Sequence, residues 1–138
     1  MKESYRELLE RQNAEINKMN FFFAFGQTQF DKMLRIKGWK MEELQDVGSG
    51  MYVRRADMPL WIELESRHRE ELFNALGDEE FAIQALVYEL ENHEYGVTDD
   101  VTDTLDALAI SQSDLDNIPG LSECLEKAIK IVKKNVIF

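Results

Sequence analysis

Glu89 and His93 stand four residues apart in a segment, residues 79–95, whose apolar side chains recur with a helical period. That spacing places a carboxylate and an imidazole one turn apart on one helix face, where they could ligate a metal or pass a proton. Asn92, Glu94 and Tyr95 follow closely and extend the constellation. The same residues also fit a closed polar network. Phe81, Ile83, Leu86, Val87, Tyr88 and Leu90 occupy much of the helix circumference, so the helix is expected to be central. Glu89, Asn92 and His93 share a sector with Ala82 and Ala85, two small residues that let another element come close. Polar groups held there need hydrogen-bond partners. A metal centre would need further ligands, and the nearby suppliers are Glu94, Asp99, Asp100 and Asp103. The candidate site is therefore Glu89, Asn92, His93, Glu94 and Tyr95, with Glu89 and His93 as the metal candidates and no cofactor implied.

Other chemistries fit the chain less well. Cys124 is the only cysteine, so no internal disulfide can form, and its apolar neighbours place it in the core. His68 lies within the stripe Trp61, Leu64, His68, Leu72, Ala75 and reads as a core histidine. Gly48-Ser49-Gly50 could cradle a phosphate, but no helix starts directly after it. A calcium loop counted from Asp99 would need Gly and Glu where Thr104 and Ile110 stand. There is no nucleotide-binding glycine pattern and no local serine-nucleophile signature.

Charge is distributed unevenly. From Glu70 to Glu126 there are 16 Asp or Glu and no Lys or Arg, whereas residues 1–69 sum to +1 and residues 127–138 to +4. Asp99, Asp100, Asp103, Asp106, Asp114 and Asp116 lie in this block, and together they exclude naked nucleic acid and anionic lipid as partners. A basic protein surface is the partner that such an acidic face would fit.

The elements that must carry these residues follow from periodicity and punctuation. A helix is expected over 3–19, a buried strand over 21–25, a helix over 28–37 stopped by Gly38, and a hairpin of 44–47 with 51–55 around Gly48-Ser49-Gly50. Asp57 and Pro59 open a helix over 58–76. Asp78 caps the next, 79–95, which should end at Gly96. Shorter helices follow over 101–109 and 111–117, the second opened by a Ser111/Asp114 capping box, and a last helix starts near Pro119. The apolar residues 135–138 could pack, pair or fray. The expected fold is a mostly helical α+β single domain, residues 1–138, with two or three short antiparallel strands in its first half. No segment is apolar enough for a signal or a membrane span, so a cytoplasmic location is expected, as a monomer or a homodimer through helix 3–19.

Residues 24–31 (AFGQTQFD), 48–57 (GSGMYVRRAD) and 88–108, above all NHEYGVTDDVTDTLDAL (Asn92–Leu108), resemble an uncharacterised family of small acidic proteins found in gut bacteria and in their phages and conjugative elements. The resemblance implies a setting on a mobile element and no reaction. Together with the charge, it leads to the expectation of a non-enzymatic protein-interaction module that binds a basic partner through residues 70–126. The alternative is a small metal-dependent hydrolase centred on Glu89 and His93.

Overall fold

The computed structural model describes residues 2–135. Its order is α1 (Tyr5–Asn17), β1 (Phe21–Phe23), α2 (Gln27–Lys37), β2 (Leu44–Gly48), β3 (Met51–Arg54), α3 (Met58–Ala75), α4 (Glu79–Asn92), α5 (Tyr95–Thr98), α6 (Thr102–Ala107), α7 (Gln112–Asn117) and α8 (Leu121–Asn135). This is the expected mostly helical α+β fold with a small antiparallel sheet in the first half. The chain divides into two compact units, Gln12–Arg67 and a second made of Met1–Arg11 with His68–Phe138. The helices α1 and α3 each contribute to both.

In the unit Gln12–Arg67, the three strands are ordered β1-β3-β2, antiparallel throughout. Phe22 pairs with Tyr52 across β1 and β3, and their rings stack at 5.3 Å. On that face Phe22, Ala24 and Leu44 are buried beneath Phe30, Met33, Leu34 and Trp39. The helix α2 ends at Gly38 in the left-handed conformation, where glycine carries no Cβ penalty. Trp39 then packs on Phe22 and holds Lys37 and Arg54 over its ring at 5.3 and 5.1 Å.

The expected strand over 21–25 is shorter and only half covered. It ends at Phe23, and while Phe22 and Ala24 are buried, Phe23 is 48% and Phe25 71% exposed. A strand sends alternate side chains to opposite faces, so a five-residue aromatic run cannot bury every ring against one layer.

The second unit is built around α4. Leu86 and Leu90 are fully buried, and Ala82 and Ala85 are closed over completely. The helix α8 packs against α4 more extensively than any other helix does, with Leu121, Cys124, Ala128 and Val132 inward. Tyr5, Leu8, Leu108, Ile110 and Leu115 complete this core.

Local chemistry sets the helix starts. Ser4 and Glu7 exchange backbone-to-side-chain bonds at the head of α1. Asp78 caps α4 through the Phe81 amide, and Ser111 with Asp114 forms the expected box. The expected helix 79–95 stops earlier, at Asn92. Glu94 takes a left-handed backbone (φ 56, ψ 34), which breaks the run and turns the buried Tyr95 into a separate short helix. Asn135 closes α8, and residues 136–138 lie outside the described residues.

Candidate functional site

The site is built on the last two turns of α4. Glu89 is 6% exposed, the one carboxylate among the described residues that is buried. Its Oε1 accepts a 2.6 Å hydrogen bond from the hydroxyl of Tyr5, itself buried near the start of α1. Its Oε2 lies 3.2 Å from His93 Nε2. That contact is off the hydrogen-bond line, so the buried His93 nitrogen has no directed partner among the described residues. From α6, Thr104 donates its hydroxyl to the Glu89 backbone carbonyl at 3.3 Å. The Tyr5 ring is edged by Phe81 at 5.9 Å and Tyr88 at 5.6 Å. Burial, and then the bond to Glu89, pushes the Tyr5 hydroxyl well above its ordinary pKa, so it stays a donor at every physiological pH.

The structure brings Glu89 and His93 together as their spacing requires. It leaves out Asn92 and Glu94, which are exposed. Tyr95 is buried separately, with Lys133 of α8 5.8 Å from its ring centre. Glu94, Asp99, Asp100 and Asp103 are exposed, and among the described residues no third metal donor converges on Glu89 and His93. Chemically the arrangement is a carboxylate fixed by a phenol and flanked by an imidazole, tying α1, α4 and α6 together. Tyr5 and Thr104 are the members that sequence spacing did not reveal. Tyr5 is 84 positions from Glu89, and the signal available was general: a buried tyrosine needs an acceptor and a buried carboxylate needs a donor.

Cys124 is 4% exposed, and burial, with the nearby Glu79 carboxylate, pushes its thiol up, away from nucleophilic use.

The acidic block is partly neutralised by cations from outside it. Lys2 meets Asp78 at 2.7 Å, Lys127 meets Glu79 at 2.7 Å, Arg11 meets Glu71 at 2.9 Å and Lys133 meets Asp99 at 3.3 Å. Lys2 together with the Phe81 amide holds the Asp78 carboxyl below its usual value. Asp100 accepts from the Thr102 amide, which lowers its carboxyl too, and Asp114 is occupied in the Ser111 box. Asp103 and Asp106, three apart on α6, and Asp116 on α7 are exposed, and among the described residues none meets a cation.

Over residues 4–131 the chain matches a family of unknown function, DUF7659. No curated protein and no solved structure matches it. No helix among the described residues is long and apolar enough to cross a membrane.

Proposed function

Since the chain belongs to DUF7659, a family of unknown function, its role has to be read from its own residues, and we propose that it is a non-enzymatic interaction module whose acidic face binds a basic protein. The observation that carries this is the exposure of Asp103, Asp106 and Asp116, without a cationic partner among the described residues, inside a block from Glu70 to Glu126 that has no Lys or Arg. Short helices joined by tight turns present these carboxylates, and opposed charge would speed docking and make it sensitive to salt. The enclosure of Glu89 by Tyr5 and Thr104 supports a scaffolding role for the polar cluster over hydrolysis. The likeness of Asn92–Leu108 to small acidic proteins of gut bacteria, phages and conjugative elements supports a cytoplasmic setting on a mobile element, where a basic nucleic-acid-binding protein is a natural target.

The test is recovery of partners from a bacterial lysate with immobilised wild-type protein and with the triple variant Asp103→Asn/Asp106→Asn/Asp116→Asn. A basic protein held at low salt, released at high salt and missed by the variant is the expected result. Equal recovery by both proteins, or no salt-sensitive partner, would overturn the proposal.

A further inference from the structure

The two edges of the three-stranded sheet are unlike. At β2, between Asp46 and Gly48, the pairing with β3 shifts register. Asp46 folds its carboxylate onto the Gly48 amide at 2.8 Å, Gln45 caps the Asp46 carbonyl, and Arg55 caps the Leu44 carbonyl at 3.2 Å. A bulge, a charge and side-chain caps are the devices by which natural sheets keep an edge from pairing.

Between Phe21 and Phe23, β1 has none of these. It lies in the longest uncharged run of the chain, the twelve residues from Met19 to Phe30, in a protein of net charge −11. The Ala24 amide donates to the Gly50 carbonyl at 2.9 Å, and Phe22 is two residues before it in the same register. Antiparallel ladders alternate, so Phe22 and Ala24 turn their backbone groups toward β3, while those of Phe21, Phe23 and Phe25 point to the open side. The Phe25 amide on that side is taken by the Gln29 side chain at 2.7 Å. Those of Phe21 and Phe23 have no partner among the described residues. Beside them stand the parallel rings of Phe23 and Phe25, 6.3 Å apart and largely exposed.

We infer that β1 is a strand-pairing edge whose occupant is β1 of a second copy, giving a symmetric antiparallel dimer with a continuous six-stranded sheet. The segment is self-complementary. Placing Phe22 opposite Phe22 of the second copy sets Phe21 opposite Phe23, and both of these carry outward-facing backbone groups, so donors meet acceptors on both sides of the two-fold. The pairing brings the exposed Phe23 rings beside Phe21 of the other copy. Charge favours this edge: each copy is strongly anionic, and the paired segments themselves, within Met19–Phe30, carry no charged side chain to repel one another.

Sedimentation analysis of wild-type protein across roughly 1–100 µM, the range for a small interface, is the first measurement. A reversible monomer–dimer equilibrium is expected, with slower amide exchange at Phe21 and Phe23 as concentration rises. Phe23→Pro removes an outward donor and leaves the bonds to β3 intact. Phe23→Lys keeps the donor and brings like charges together across the axis. Each is expected to weaken dimerisation at least tenfold with an unchanged circular dichroism spectrum. Wild-type protein that stays monomeric at every concentration would overturn the inference. So would a dimer that survives Phe23→Lys, or one whose Phe21 and Phe23 amides gain no protection.

Discussion

The hydroxyl of Tyr5 and the carboxylate of Glu89 meet at 2.6 Å across 84 positions of sequence, both of them buried. A carboxylate taken from water is tolerated only when hydrogen bonds replace its hydration, and Tyr5 supplies the shortest one here. The first turns of α1 are thereby fixed to the middle of the core by a polar contact as well as by Leu8.

Tyr5→Phe keeps the ring and its contacts with Phe81 and Tyr88 while removing the donor. The expected loss is roughly 1.5–3 kcal/mol, the range for a hydrogen bond to a charged group. Urea unfolding checks it. Glu89→Gln in the Tyr5→Phe background should cost less than in the wild type, because the partner has already gone.

The burial of Tyr5, together with this bond, makes stability fall in alkali. The Tyr5 hydroxyl is raised in the folded protein above the ordinary 10.0. Above that value the unfolded chain gives up the tyrosine proton while the folded one keeps it, so the unfolded state gains. The stabilisation is whole below pH 10.0 and is lost as pH climbs toward the raised folded value, by at most about 1.4 kcal/mol per pH unit. The stability difference between wild type and Tyr5→Phe should therefore shrink over this range in unfolding curves. A difference that stays constant would contradict the assignment.

Ala85 is fully buried in the core that α4 shares with α8. Ala85→Leu would push the helices apart or force strained rotamers, at a cost of about 1–3 kcal/mol. Leu90→Ala, at a position equally enclosed, should cost about 2–5 kcal/mol by leaving a cavity. Thermal unfolding distinguishes both from the near-neutral effect expected at exposed Gln84.

Gly50 closes the β2–β3 hairpin with φ 78, and a Cβ built there would run into the Phe25 ring. Gly50→Ala combines a disfavoured backbone with a displaced aromatic ring and should destabilise the protein by roughly 1–3 kcal/mol. The expected spectroscopic sign is a shift of the Phe25 ring resonances without loss of helical signal.

Much of this architecture could be read from local pattern. The start of α4 at Asp78, the Ser111 box, the stop at Gly38 and the hairpin around Ser49 are short-range chemistry, visible within five residues. Glu89 and His93 were legible as a pair because helix geometry alone puts residues four apart together. What spacing could not supply were partners fixed by tertiary packing: Tyr5 and Thr104 beside Glu89, or Lys2 on Asp78. Asn92 illustrates the opposite error. It shares a broad sector with Glu89, about 60° away around the helix, but it is the final residue of α4 and its side chain is exposed, whereas Glu89 and Leu90 in the same turn are buried. The aromatic run at 21–25 suggested burial by composition, and the alternation of the strand, which turns Phe23 and Phe25 away from the buried Phe22 and Ala24, overrode it.

Glu94 and Asp99 bracket the four-residue helix α5, and both hold a backbone conformation that an L side chain adopts at a penalty (φ 56 and φ 57). Glycine at either position would relax the chain and in the same step delete an exposed negative charge. Thermal resistance and acidity are thus set against each other at these two sites, and variants selected for surviving heat should come out less anionic there.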